Sequence, residues 1–161
     1  MDVIEVRLTA TQLDPGHLLN AFQAGRLETG AVVSFTGLAR AEGGQVEALE
    51  LEAYPGFTEA EITRMAAEVA ARHGLHGLLV VHRVGMITPG ETIVFVGAAA
   101  AHRRAAFDGA DQMMDYLKSR APFWKKSHDA AGGRWIEPRP EDYQDAARWD
   151  APAPLYRSDP P

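Results

Sequence analysis

The stretch from Gly77 to Ala101 constrains the fold more than any other part of the chain. Two runs of aliphatic and β-branched residues, "GLLVVHRVGMI" and "TIVFVGAAA", flank the polar turn "TPGE". A proline–glycine pair between such runs is typical of a β-hairpin, so we predict one here. A long helix is predicted directly after it, from about His102 to Arg120, and Pro122 ends it because proline cannot continue a helix.

Further strands and helices alternate along the rest of the chain. "MDVIEVRLT" and "VEALELEAY" alternate apolar and charged residues and predict strands, while "GAVVSFTG" (Gly30 to Gly37) predicts a buried strand. Asp14 and Pro15 mark the start of a first helix, which Gly25 ends. "RWIEP" and "EDYQDAARW" predict a short strand and a short helix. We therefore predict one α+β domain over residues 1–150 and a flexible proline-rich tail over residues 151–161.

The two long helices each have a predicted apolar face. Thr58 and Glu61 match a capping box at the start of the first, and Gly74 ends it. Its apolar positions recur at helical spacing and are Ile62, Met65, Ala66 and Val69. The core face of the helix from about His102 is predicted to contain Phe107, Ala110, Met113, Met114 and Leu117.

Composition limits the classes of function. The chain has no cysteine, which excludes a disulfide scaffold, thiol catalysis and cysteine-ligated zinc, and no carboxylate spacing suggests a metal site. No apolar run approaches the roughly 20 residues of a membrane span, and the N-terminus lacks the order of a signal peptide. We therefore expect a cytoplasmic protein without a membrane partner. The net charge of -6 argues against nucleic-acid binding, so an anionic ligand would need a local cluster of cations.

One such cluster lies at the predicted start of the second long helix. Helix N-termini favour acidic residues or a capping oxygen, yet His102, Arg103 and Arg104 crowd this end. The arrangement is favourable if an anion such as a phosphate binds there. Pairing of His102 and Arg103 with carboxylates elsewhere in the fold explains it equally well, and the sequence leaves both interpretations open.

A second cluster is "DYLKSRAPFWKK". Lys118 falls at the rim of the helix's core face, where a lysine commonly covers the core with its aliphatic stem. The segment after the helix is predicted to be irregular, with Phe123 and Trp124 beside Lys125 and Lys126. Two aromatic rings beside lysines could form the wall of a site for a flat ring with a phosphate. The alternative is that they only anchor the loop to the core, and for either aromatic alone this is the preferred interpretation.

Arg40 is a third candidate. It follows the strand "VVSFTG" on a loop that contains Gly43 and Gly44, and such a loop can close over a ligand. A single loop arginine is more often a solvated surface residue. Arg40 is therefore a candidate binding residue only in combination with the two clusters.

Five motifs in this order carry a resemblance to a known family: "GAVVSFTGLAR", "LEAYPGFTE", "VVHRVGMITPGETIVFVG", "AHRRAAF" and "MDYLKSRAPFWKK". The chain resembles the large, catalytic subunit of molybdopterin synthase over roughly residues 30–149. The resemblance implies an α/β hammerhead fold with an additional antiparallel β subdomain. It also implies a homodimer that binds a small ubiquitin-like sulfur-carrier subunit at each end, giving a heterotetramer.

The implied reaction transfers two sulfurs from the carrier's C-terminal thiocarboxylate to cyclic pyranopterin monophosphate, which makes the dithiolene of molybdopterin. No cofactor or metal is implied. The family's catalytic lysines match Lys118 and Lys125. Its substrate-binding residues match Arg40, His102 and Arg103, with Lys126 alongside, and Arg139 matches a basic residue that reaches a pocket across the dimer.

The chain departs from the family at Leu38, where a lysine often follows the glycine of "FTG", so the loop has one cation fewer. Three other functions also fit the cation clusters. The chain could bind a phosphorylated pterin or nucleotide without chemistry, hydrolyse a phosphoester with lysine and histidine, or dock an acidic protein tail in a basic groove. None of the three explains the ordered set of motifs as well.

Overall fold

A computed structural model describes residues 3–156 of the chain. Its strands are β1 (Val3–Thr9), β2 (Ala31–Leu38), β3 (Ala48–Ala53), β4 (Gly77–Arg83), β5 (Gly85–Ile87), β6 (Thr92–Ala100), β7 (Phe123–Asp129) and β8 (Gly132–Ile136). Its helices are α1 (Pro15–Gln23), α2 (Phe57–His73), α3 (Arg103–Ser119) and α4 (Pro140–Ala147), followed by a short 3₁₀ turn at Arg148–Asp150.

The strands form two four-stranded sheets. The first sheet has the order β1-β4-β6-β2, with β1 parallel to β4 and the other pairs antiparallel. The second sheet has the order β5-β3-β7-β8 and is antiparallel throughout. The predicted α+β class is confirmed, and the second sheet corresponds to the additional antiparallel subdomain.

Helices cover both faces of the first sheet. One face packs against α2 and α3 in the main core, where Ile62 and Met113 meet Val80 and Val96 of the central strands. The other face packs against α1 through Leu18 and Phe95. Burial on both sides explains why β4 and β6 are almost continuously apolar.

The predicted hairpin is correct for its two long strands but incomplete between them. β4 and β6 pair antiparallel in the first sheet. Between them the chain turns at Gly85, whose φ of 84° suits glycine. β5 then leaves to pair with β3 in the second sheet. The run that looks like one arm of a hairpin therefore connects the two sheets.

The prediction of a buried strand from Gly30 to Gly37 is wrong about burial. The strand exists as β2, but it lies at the edge of the first sheet and pairs with β6 alone among the described strands. Phe35 is 41% exposed and Leu38 is 54% exposed. The β-branched composition predicted a strand correctly, while its place in the sheet was set by long-range pairing that composition does not encode.

The predicted capping box at Thr58 is wrong. The helix α2 begins at Phe57, after Gly56 with a φ of 76°, and no side chain caps it. Thr58 is instead fully buried. Its hydroxyl accepts a hydrogen bond from the Tyr54 amide at 2.8 Å and donates one to the Pro122 carbonyl at 3.0 Å. It therefore ties the start of α2 to the residue just before β7.

The predicted core face of α3 is right except at Phe107. Ala110, Met113 and Leu117 are buried and Met114 is partly buried, but Phe107 is 54% exposed. Gln112 and Tyr116 are buried instead. The segment after α3 was predicted to be irregular, and this is also wrong, because Phe123–Asp129 forms β7 in the middle of the second sheet.

The C-terminal segment contacts the helices as far as Tyr156. Its hydroxyl donates to Asp108 at 3.1 Å and contacts His73 Nδ1, while His73 Nε2 lies 2.6 Å from Gln112 Oε1. Arg72 donates to the carbonyl of Ala151 at 2.7 Å. Residues 157–161 of the tail predicted to be flexible lie outside the described residues, and its flexibility stays a prediction. No helix among the described residues is long and apolar enough to cross a membrane.

Replacing Thr58 tests the link between α2 and β7. We expect Thr58→Val to lower the free energy of unfolding by about 1–3 kcal/mol, because it removes the hydroxyl that binds both the Tyr54 amide and the Pro122 carbonyl at this part-buried position. Denaturant unfolding measures the change. Thr58→Ser keeps the hydroxyl and is the matched control, and an equal loss in both variants would show that the hydrogen bonds contribute little.

Candidate functional site

The structure brings Lys118 and Lys125 together at the junction of α3 and β7. Lys118 lies in the last turn of α3, and the chain reverses through Pro122 before Lys125 appears on β7. Burial lowers the pKa of Lys125, and the positive charge of Lys118 lowers it further. Since Coulomb repulsion falls with distance, this second effect indicates that the two ammonium groups are near one another.

Strand register explains why Lys125 is partly enclosed. Lys125 pairs with Leu51 of β3 and with Ile136 of β8, so all three side chains lie on one face of the second sheet. Leu49 and Leu51 on this face are buried. We call it the inner face. In the row formed by Leu51, Lys125 and Ile136, Lys125 is the charged residue. Its apolar neighbours reduce the hydration of its ammonium group.

Two carboxylates and an arginine complete the surroundings of Lys125. The negative charges of Asp142 and Glu42 act to raise the pKa of Lys125, and the positive charge of Arg139 acts to lower it. Arg139 is the N-cap residue of α4 and forms an ion pair with Asp142 at 3.2 Å. The start of α4 and the loop after β2 thus both approach Lys125.

Arg40 lies on that loop and is exposed. Its guanidinium is 3.5 Å from the Glu42 carboxylate. The loop is fixed at its base, where the Ala39 amide donates to Glu91 at 2.9 Å and the Gly90 amide donates to Ala39 at 2.8 Å. Glu42, the ion-pair partner of Arg40, acts to raise the pKa of Lys125 and therefore lies near that lysine. Arg40 is thus on the same side of the molecule as Lys125.

Lys126 lies on the opposite face from Lys125. Neighbouring residues of a strand point to opposite sides, and Lys126 pairs with Glu50 and Trp135 on what we call the outer face. Its ammonium lies 5.2 Å from the centre of the Trp135 ring. Trp124 is also on the outer face, 5.8 Å from Trp135. The sequence suggested that Phe123 and Trp124 form one wall, but the strand separates them.

His102 and Arg103 are not near Lys118 within one chain. His102 is the N-cap residue of α3 and makes no side-chain capping hydrogen bond, and Arg103 is the first helical residue. Lys118 is at the other end of the helix, about 22 Å away at about 1.5 Å per residue. A single chain therefore presents two separate cation clusters, one at each end of α3.

Sequence reasoning missed His82, which lies beside the lysine pair. His82 is only 6% exposed and stacks on Phe123 with ring centroids 4.3 Å apart. Burial lowers its pKa to about 4, and the charges of Lys125 and Lys118 contribute to the shift. The available signal was a histidine that interrupts the apolar run "GLLVVHRVG", at a strand end. Asp142 was also missed, because nothing in "PEDYQ" indicates its distance to Lys125.

The arrangement suits acid–base chemistry on an anionic substrate. Burial and a second cation disfavour the ammonium form of Lys125 and lower its pKa, so it releases a proton more readily than an ordinary lysine. Lys118, Arg139 and Arg40 supply positive charge around it. A groove of about 900 Å³ between Leu8, Tyr54 and Ala60 contains none of the predicted site residues. Among residues 3–156 no group of three or more His, Asp and Glu side chains could hold a metal ion.

Removing the charge of Lys118 tests the coupling within the pair. We expect Lys118→Ala to move the pKa of Lys125 upward, towards its ordinary value, because the repulsion that disfavours its ammonium form is lost. Lys118, Lys125 and Lys126 are the only lysines of the chain, so a titration of lysine Cε chemical shifts by NMR gives a simple spectrum. Lys126→Ala is the control from the outer face. An equal shift in both variants would contradict the pairing.

Comparisons with known proteins identify the family of the chain. The family model described as "MoaE protein" matches residues 8–120. The molybdopterin synthase catalytic subunit of Caulobacter vibrioides is 61% identical over 92% of this chain and 99% of its own length. Among solved structures, the molybdopterin biosynthesis MoaE protein from Burkholderia ambifaria has a TM-score of 0.76 at 38% identity, covering 94% of this chain and 99% of that chain. Molybdopterin synthase from Staphylococcus aureus has a TM-score of 0.72 at 26% identity, covering 80% and 94%. The chain belongs to the MoaE family.

Proposed function

We propose that this chain is the catalytic subunit of a molybdopterin synthase that works in the cytoplasm. It transfers sulfur from the C-terminal thiocarboxylate of a small ubiquitin-like carrier protein to cyclic pyranopterin monophosphate. The observation that carries the proposal is the pair Lys118 and Lys125, in which burial and mutual repulsion prepare Lys125 for proton transfer. Membership of the MoaE family supplies the reaction to which this pair is assigned.

The charge of both reactants explains a cation cluster on an acidic chain. The substrate carries a cyclic phosphate, and the carrier ends in an anionic thiocarboxylate. The thiocarboxylate sulfur attacks a side-chain carbon of the pterin, and a carbon–oxygen bond at that carbon breaks as the carbon–sulfur bond forms, so that the electron pair moves to oxygen. Water then adds to the acyl carbon and the acyl carbon–sulfur bond breaks, which leaves the sulfur on the pterin and a carboxylate on the carrier. Both steps develop negative charge on oxygen. Lys118 and Lys125 stabilise that charge and exchange protons with the reacting groups.

The remaining predicted residues divide between two subunits in this proposal. Arg40 and Arg139 lie on the same side as Lys125 in one chain, and they hold the anionic parts of the reactants there. His102 and Arg103 are about 22 Å from Lys118 along α3. In a homodimer they therefore belong to the pocket of the other subunit. The exposed edge strand β2 supports this, since its start lies beside Ala100 and the beginning of α3.

Antiparallel pairing of β2 with its copy would bring the required groups together. Such a pair is two-fold symmetric, so the start of one β2 lies beside the end of the other. The α3 N-terminus of one subunit would then approach the Arg40 loop of the second. Lys126 has no place in the pocket of its own chain, because it lies on the outer face, and its role in substrate binding stays a prediction.

Reconstitution tests the reaction. We expect this chain, a thiocarboxylated carrier and cyclic pyranopterin monophosphate to yield the dithiolene product, followed by oxidising the pterin and reading its fluorescence. Lys118→Ala should abolish turnover while fold and dimer remain, since it removes a charge that the reacting oxygen needs. Ring opening of the phosphate without carrier would indicate a hydrolase. Carrier binding without product would indicate a binding module, and normal turnover by Lys118→Ala would exclude Lys118 from the mechanism.

Mixed dimers test the shared pocket. Arg103→Ala and Lys118→Ala are each expected to be inactive as homodimers. If every pocket takes Lys118 from one chain and Arg103 from the other, a mixed dimer has one intact pocket. Random exchange of subunits should then restore about a quarter of the wild-type activity, since half of the dimers are mixed and each has one working pocket. No recovery in verified mixed dimers would mean that both residues act in the same chain.

A further inference from the structure

His82 is a buried histidine whose tautomer is fixed by one hydrogen bond. Its Nδ1 lies 2.8 Å from the backbone carbonyl oxygen of Arg83. A carbonyl oxygen only accepts, so Nδ1 carries the hydrogen. Because the neutral imidazole has one hydrogen, Nε2 keeps a lone pair and can act only as an acceptor. Among residues 3–156 no hydrogen bond to Nε2 is formed, so this acceptor is available.

The ring plane is fixed by Phe123. The two rings are stacked, with centroids 4.3 Å apart and planes inclined by 26°. Phe123 and Lys125 are two residues apart on β7, so their side chains lie side by side on the inner face of the second sheet. The stacking therefore places the His82 imidazole next to the path of the Lys125 side chain. β4, which carries His82, is buried along its whole length, so the ring has little room to turn.

The charges around His82 favour a neutral ring. Lys125 on β7 and Lys118 on α3 act on it, with Lys125 the stronger of the two, and both disfavour an imidazolium. Its pKa of about 4 keeps it neutral at physiological pH. The wider shell of Lys125 contains Asp142, Glu42 and Arg139. None of these groups shifts the pKa of His82 as strongly as the two lysines do. The imidazole is therefore a neutral hydrogen-bond acceptor beside the lysine pair.

We propose that His82 is a positioning residue for the lysine pair: its Nε2 accepts a hydrogen bond from the ammonium group of Lys125 through one water molecule and orients that group towards the substrate. The hydrogen bond itself does not depend on which reaction the chain catalyses. Its effect on turnover rests on the proposed function. Neither the sequence motifs nor the comparisons assign a role to this histidine.

The hydrogen bond has a measurable consequence for Lys125. An acceptor for the ammonium form stabilises that form, so it opposes the effect of burial. Without the acceptor, the pKa of Lys125 falls further below its ordinary value. Lys125 then loses its fixed direction as well, because a long flexible side chain has many rotamers.

Two substitutions separate this role from a structural one. The amide of His82→Gln reaches the position of Nε2 and can offer an oxygen to Lys125, but it loses the donor to Arg83. The amide of His82→Asn reaches the position of Nδ1 and can donate to the Arg83 carbonyl, but it leaves nothing at Nε2. Both lose the stacking on Phe123, so they form a matched pair.

The first measurement is the titration of Lys125 by lysine Cε chemical shifts in the full chain. We expect His82→Gln to keep the pKa of Lys125 near its wild-type value and His82→Asn to lower it. In the reconstituted reaction, kcat should fall about tenfold in His82→Asn and less in His82→Gln, with KM little changed in both. If the only role of His82 is its hydrogen bond to the Arg83 carbonyl, the order of kcat is reversed and His82→Asn is the more active variant.

A measurement on the wild-type chain covers the case in which a variant does not fold. Imidazole ¹⁵N chemical shifts report which nitrogen of His82 carries hydrogen. We expect the neutral ring with hydrogen on Nδ1 at pH 7, and hydrogen on Nε2 would overturn the proposal. Equal Lys125 titrations in His82→Gln and His82→Asn would overturn it as well. Absence of sulfur transfer in the wild-type chain, with the expected titrations intact, would refute the proposed function and leave the hydrogen bond standing.

Discussion

The pairing of β7 with β3 determines what the lysine-rich segment can do. As an irregular loop, "PFWKK" would have offered both lysines and both aromatics to one pocket. As a strand in register with β3, it sends Phe123 and Lys125 to the inner face and Trp124 and Lys126 to the outer face. This register therefore partly buries the Lys125 side chain and places it beside the end of α3, where Lys118 lies. The proposed proton-transfer chemistry depends on this register.

Buried polar contacts hold this junction in place. The Thr58 hydroxyl links the start of α2 to Pro122, directly before β7. The His82 ring stacks on Phe123, the first residue of the strand. At the other end of the second sheet, Arg83 forms an ion pair with Glu91 at 2.8 Å, close to the base of the Arg40 loop. The first two contacts join the first sheet or its helices to the second, so the site is built at the boundary between the two.

The length of α3 determines which cations of one chain can belong to the same pocket. A straight helix of 17 residues holds its ends too far apart for one pocket. The basic N-terminus and the lysine-bearing C-terminus can thus serve one substrate only if two chains share it. In the proposed dimer, the cations at this unfavourable helix start bind the anionic substrate in the pocket of the other subunit.

The sequence by itself determined most of the element types, although not the strand β7, together with the α+β class and the family. Those depend on local patterns, such as the apolar spacing of α2, the Asp14 cap of α1 and the ordered motifs around Lys118. Only the tertiary structure decided that β2 is an exposed edge strand, that Thr58 binds Pro122 instead of capping its helix, and that Lys126 faces away from Lys125. It also placed His82 and Asp142 near the lysines, although 43 and 17 residues separate them from Lys125 in the chain. Contacts of this kind depend on strand order and register, which arise from many distant residues together, and no local pattern encodes them.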